Sequence, residues 1–88
     1  MKGGEKMRQK PHIRIGRETG RGVCVMTGAV DYSFNVEVNG KRLEVTLVQT
    51  KNGKFLQPIF WDRRTEDKVR VNRDIAMKIK NELIGSRI

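Results

Sequence analysis

Between residues 21 and 62 the chain alternates apolar and polar residues, and beyond residue 72 the apolar spacing lengthens to three and four. A period of two is the signature of a half-buried strand, and the longer period that of an amphipathic helix. RGVCVMT (21–27) reads as a strand and Gly28 as a turn or bulge. YSFNVEV (32–38) then places Tyr32, Phe34, Val36 and Val38 on one face. Asn39-Gly40 follows, and this dipeptide between alternating runs predicts a two-residue hairpin turn, because both central residues of that turn need positive φ. KRLEVTLVQT (41–50) is the return strand. A second turn at Asn52-Gly53 leads into KFLQPIFWD (54–62), which completes a three-stranded meander.

Turn geometry sets which side chains share a face. Pairing 38 with 41 brings Val36 opposite Leu43, Phe34 opposite Val45 and Tyr32 opposite Leu47. Pairing 51 with 54 brings Leu47 opposite Pro58, Val45 opposite Phe60 and Gln49 opposite Leu56. One face then carries Tyr32, Phe34, Val36, Val38, Leu43, Val45, Leu47, Leu56, Pro58 and Phe60, which is a core. The other is polar, with Val48, Phe55, Ile59 and Trp61 as its apolar minority. Pro58 lacks an N–H, so a bulge or an edge is expected near the middle of the third strand.

DRRTEDK (62–68) reads as a charged loop and VRV (69–71) as a short fourth strand. Asn72 is placed to cap a helix over about 73–84, in which Ile75, Ala76, Ile79 and Leu83 form one apolar face before Gly85 supplies a stop. The expected fold is α+β: an antiparallel meander of four or five strands packed on one C-terminal helix, within a single domain spanning 23–88. Residues 1–22 read as a basic, mostly disordered arm with a short strand over 12–15, because MKGGEKMRQKP buries too little to offset its ordering entropy. GRETGRG (16–22) reads as a loop; it lacks the Lys-Ser/Thr ending of a phosphate-binding loop.

Charge sharpens this picture. The 88 residues carry a net +9, and seven of the nineteen Lys and Arg fall in 1–22 against only Glu5 and Glu18. A cationic arm gains affinity for phosphates by releasing condensed counterions, so a polyanionic partner is expected beside the blander reading of a solubilising tail. A chain this short buries a small fraction of its surface, which makes a homodimer an expectation. No apolar run reaches the length of a membrane span or a signal sequence, which points to a cytoplasmic or nucleoid-associated protein. Cys24, the single cysteine, sits in the alternating context GVCVM and reads as a buried thiol.

Enzyme chemistry finds few candidates. His12 is the one histidine and stands alone in the arm, no Ser/His/Asp or Cys/His set is present, and Asp62, Glu66 and Asp67 are interleaved with Arg63, Arg64 and Lys68 as in a solvated loop. No catalytic residue, metal or cofactor is expected. The open face of the sheet is the informative surface: Phe55 and Trp61 lie among Arg42, Lys54, Arg63 and Arg64. Aromatic platforms interleaved with cations are how single-stranded nucleic acid is held, each stacked base contributing roughly 1–3 kcal/mol. The competing reading makes the same patch a dimer interface, or the floor under residues 12–28.

KRLEVTLVQTKNGKFLQPIFW (41–61) resembles the central hairpin of the positive cofactor four (p-fifteen-like) transcriptional coactivators: a Lys-Arg-led alternating strand, a Lys-Gly-Lys turn and a strand ending in an aromatic-Trp pair. KVRVNRDIAMKIKNEL (68–83) is similar to that family's last strand, polar cap and helix. The likeness covers about half the chain. It implies a four-stranded curved sheet with a helix, a homodimer, single-stranded DNA on the β-ridges and a mobile basic arm. It sets Trp61 on a base-stacking tryptophan, Lys41 on a DNA-contacting lysine, and Lys51 and Lys54 on turn lysines. The family's aromatic at the end of the preceding strand is absent, Val48, Gln49 and Thr50 standing there, and Ala76 replaces a bulky helix aromatic. NGKF, and VN followed by KI, also resemble the stage V sporulation protein G family of nucleic-acid-binding regulators.

Two functions remain open. The first is a non-enzymatic protein that binds single-stranded DNA or RNA in transcription or DNA/RNA metabolism, through Lys41, Arg42, Lys51, Lys54, Phe55, Trp61, Arg63 and Arg64. The second is a small basic interaction or regulatory module, of phage or mobile-element type, that engages an acidic protein or a nucleoprotein complex.

Overall fold

The computed structural model describes residues 10–88. Five strands, β1 (Ile13–Val23), β2 (Val30–Val38), β3 (Lys41–Gln49), β4 (Ile59–Asp62) and β5 (Lys68–Val69), form one antiparallel sheet in chain order, followed by helix α1 (Arg73–Ser86). The fold is α+β.

The β2–β3 hairpin follows from its turn. Asn39 and Gly40 both adopt positive φ, 51° and 83°, which gives the twist that matches the flanking strands. The register then runs unbroken from Val38 opposite Lys41 to Val30 opposite Gln49. Tyr32, Phe34, Val36, Val38, Leu43, Val45, Leu47 and Phe60 accordingly share one face and are buried with Ile79 and Leu83 of α1. Helix α1 begins where the sequence places it, since Asn72 Oδ1 accepts from the amides of Asp74 and Ile75. It does not stop at Gly85. It continues to Ser86, and the Arg87 amide bonds to the Leu83 carbonyl, because no steric term obliges a glycine to leave the helix when the turn beyond it is still hydrogen-bonded.

Three expectations are corrected, two of them at the N-terminal side. GRETGRG is strand, not loop, so residues 13–22 belong to the sheet; the part of the expected arm at residues 1–9 lies outside the described residues. Strand β1 pairs along the whole of β2, and its excess length is absorbed at two register shifts, between Ile15 and Glu18 and between Glu18 and Gly20. Glycine-rich segments tolerate such bulges. Arg87 reaches back to donate to the Ile15 and Gly16 carbonyls at 3.1 and 2.8 Å, tying the helix end to β1.

The strand expected over 21–27 ends at Val23. Cys24–Ala29 forms the hairpin loop, with Gly28 at φ 77°. Cys24 is therefore exposed rather than buried, as are Val25 and Met26. The alternation GVCVM looks like a strand but runs past the end of β2, where no partner remains.

The third correction lies between β3 and β4. Val45 pairs with Phe60 and Thr46 with Ile59, as turn counting predicts, yet Gln49 bridges Phe55 rather than Leu56. The two halves differ by one residue, so 56–58 contains a bulge, at the proline that forbids a ladder hydrogen bond. The turn closes with Thr50 and Lys54 bonded around the three residues 51–53, with Gly53 at φ 90°, rather than as the expected two-residue turn between 51 and 54; the bulge takes that one-residue difference back.

Candidate nucleic-acid interface

The turn, closed one residue earlier on β3 than expected, rearranges the site, and the bulge then returns Phe60 and Trp61 to their expected faces. A shift of one residue exchanges faces, so Phe55 turns inward and packs on the core, while Leu56 is 43 % exposed. Lys80 Nζ donates to the Phe55 carbonyl at 3.3 Å and holds this segment to the helix. Phe55 is thus removed from the open face. Lys51 and Lys54 are separated too, because they lie at the turn that follows β3, and Lys41 and Arg42 at its start. Nine residues of strand, about 27 Å at 3.4 Å per residue, divide the two pairs.

Trp61, Lys41, Arg42, Arg63 and Arg64 stay together. In cross-strand register Arg14 faces Glu37, Glu37 faces Arg42, and the Arg63 amide bonds to the Arg42 carbonyl at 3.3 Å. These residues form one row across the open face from β1 to the end of β4, about 14 Å for three strand spacings. Two shallow hollows record the arrangement: one of about 530 Å³ lined by Lys41, Arg42, Asp62, Arg63 and Arg64, and one of about 220 Å³ that Arg14, Arg42 and Arg63 line together. Arg14 was not foreseen from the sequence. Its signal was the alternation HIRI, which carries Arg14 opposite to Ile13 and Ile15, but its place in the row needs the pairing of β1 with β2.

The row holds one carboxylate, Glu37, between Arg14 and Arg42, and Glu37 also lines the hollow of about 220 Å³. Among the described residues the ion pairs are Arg14 with Glu37, at 3.8 Å and well exposed, and Arg21 with Glu18. Asp62 lies within the cationic hollow, yet its carboxylate accepts from the Arg64 and Thr65 amides at 2.8 and 3.2 Å. Those amides, first Arg64 and then Thr65, hold its pKa below the ordinary carboxylate value, with Lys41 and Arg64 adding a smaller attraction. The loop 63–66 is closed by the Glu66 amide on the Asp62 carbonyl, with Glu66 at φ 66°, and this presents Arg63 and Arg64 at its start.

Trp61 occupies the next row, opposite Glu44 on one side and Lys68 on the other. Its indole N–H donates to Thr46 Oγ1 at 3.2 Å, which fixes the ring orientation against β3. It is half-buried and lines a hollow of about 490 Å³ with Glu44, Asp62, Glu66 and Arg63. Thr19 Oγ1 donates to Glu44 at 2.5 Å, so that carboxylate is held in place. Comparison with protein-family models, with curated proteins and with solved structures finds no match. Among the described residues no three His, Cys, Asp or Glu side chains are grouped to hold a metal ion, and no helix is long and apolar enough to cross a membrane.

Two kinds of contact follow from this chemistry. The arginine row presents planar donors suited to phosphate oxygens. The Trp61 hollow presents an aromatic surface beside carboxylate acceptors, which repel phosphate but accept from the exocyclic amino groups of bases.

Proposed function

We propose that the protein binds single-stranded nucleic acid, DNA or RNA, on the open face of the sheet. The backbone follows Arg14, Arg42 and Arg63, with Lys41 and Arg64 flanking, and a base stacks on Trp61. The observation that carries this reading is the adjacency of the two rows: Trp61 and Arg63 line one hollow, so one nucleotide spans a phosphate contact and a stacking contact. The carboxylates of Glu44, Asp62 and Glu66 in the Trp61 hollow support a base there rather than a phosphate, with Lys68 and Arg63 beside it for the adjoining backbone. The likeness of residues 41–61 to the positive cofactor four family supports the same assignment for Lys41 and Trp61. Phe55 is not part of this interface, and Lys51 and Lys54 lie at the opposite end of the sheet.

Anisotropy titrations with labelled single-stranded DNA, single-stranded RNA and duplex at several salt concentrations test the proposal. The five cations of the face, if each meets one phosphate, give log K against log salt a slope of about −3.5, a loss of about 100-fold between 50 and 200 mM salt, to which the basic N-terminal residues add. Trp61→Ala costs about 1–3 kcal/mol. Duplex bound as tightly as single strands, or equal affinity for Trp61→Ala and wild type, refutes the reading.

A further inference from the structure

The other margin of the sheet carries a surface of different chemistry. Asp62 N donates to Asp67 O, so 62–67 is a hydrogen-bonded pair. By the alternation of an antiparallel ladder Phe60–Val69 is bonded as well and Trp61–Lys68 is not. The N–H and C=O of Lys68 therefore point away from β4, toward the open edge. The extended alternation continues past β5: Lys68 and Arg70 are exposed, while Val69 and Val71 pack on the core, which sets the outward amide groups of Arg70 in line with those of Lys68. Among the described residues nothing bonds to them. Beside this edge lies a hollow of about 530 Å³ whose lining includes Pro58, Val69, Val71 and Ala76.

We infer that this edge is a docking strand for an extended segment of a partner protein in which apolar and acidic residues alternate. Main-chain bonds go to Lys68 and Arg70, alternate apolar side chains enter the hollow, and the acidic ones lie over the two cations. Charge decides the occupant. A second copy of this chain, paired edge to edge about a two-fold axis with faces preserved, would set Lys68 directly opposite Arg70 of its mate, twice, and like charges directly opposite are unfavourable. An acidic strand turns both positions into attraction. The site adjoins Trp61 at Lys68, but its main-chain edge is distinct from the arginine row and does not depend on the nucleic-acid reading.

The test is a fluorescein-labelled hexapeptide of alternating Val and Glu, titrated against the full chain by anisotropy. Saturable binding is expected. N-methylation of the amides in one alternate set abolishes it and in the other set leaves it intact, since only one set faces the edge; this control does not touch the protein. Arg70→Glu, checked for folding by circular dichroism, weakens the peptide at least about fivefold through loss of one attraction and gain of one repulsion. Equal sensitivity of the two N-methyl sets, undiminished binding to Arg70→Glu, or absence of binding overturns the inference. So does self-association that Arg70→Glu alters in sedimentation, which would make a second copy the occupant.

Discussion

Replacing Phe55 and Leu56 in turn by alanine separates the observed arrangement from the one that simple alternation predicts. Had the Asn52-Gly53 turn been the expected two-residue turn between 51 and 54, Leu56 would lie in the core and Phe55 on the open face. The turn closes instead from Thr50 to Lys54 and sets Phe55 opposite Gln49: Phe55 packs at the margin of the core and Leu56 is 43 % exposed, and the bulge at 56–58 restores the expected register by Phe60. Removing a fully buried phenylalanine costs about 3–5 kcal/mol. Phe55 is only partly enclosed, so about half of that, roughly 2 kcal/mol, is expected for Phe55→Ala. Leu56→Ala removes a side chain that faces water and stays within about 0.5 kcal/mol. With a urea m-value of about 1 kcal/mol/M for a domain of this size, the midpoints fall by about 2 M and less than about 0.5 M. Equilibrium urea unfolding followed by circular dichroism measures both, and equal slopes confirm that the midpoints report stability. Oligonucleotide affinity, measured where each variant is folded, stays at the wild-type value for Phe55→Ala. A larger loss for Leu56→Ala, or a Phe55→Ala variant that is folded but binds as poorly as Trp61→Ala, refutes the face assignment and with it the removal of Phe55 from the interface.

Gly28→Ala is expected to destabilise by about 1–2 kcal/mol for its left-handed conformation alone; the new Cβ also lies 3.0 Å from Lys51 Cβ, and a urea midpoint equal to wild type contradicts it. For Asp62 the folded pKa is depressed, so its contribution to stability is complete above the ordinary carboxylate value, about 3.9, and fades as pH falls through the folded-state value. The stability gap between wild type and Asp62→Asn is therefore flat from pH 7 to about 5 and shrinks below about 4; a gap that changes between pH 7 and 5 assigns the dependence to another group. The Cys24 thiol is held below its ordinary pKa, chiefly by the Thr27 hydroxyl and then by the Thr27 and Met26 amides. Its alkylation by iodoacetamide rises with pH through a midpoint lower than that of free cysteine, and Thr27→Val moves the midpoint up.

What the residues alone determined is local. Asn39-Gly40 admits essentially one tight turn, so the pairing of β2 with β3 and the seven core residues of these two strands follow from counting along the chain; Phe60 and Trp61 keep their expected faces because the bulge at 56–58 offsets the longer turn before it. Asn72 marks the helix start for the same reason, a side chain that satisfies amides two and three residues away. The remainder depends on contacts distant in sequence. The glycine-rich, charged segment 16–22 has no strand signal of its own and becomes β1 because β2 offers an edge of nine residues to pair with, whereas the strand-like CVM has no partner and becomes a loop. Pro58 announced an irregularity, but only the bridge from Gln49 to Phe55 settles on which side of it each aromatic falls. Arg14 joins Arg42 and Arg63, residues separated by 21 to 49 positions, through the pairing of β1 with β2, β2 with β3 and the end of β4 with β3, and Lys68 and Arg70 come to face an open edge through the ladder parity at β5. Side-chain direction is encoded two residues at a time; which strands stand side by side is decided by the burial of the whole sheet against α1.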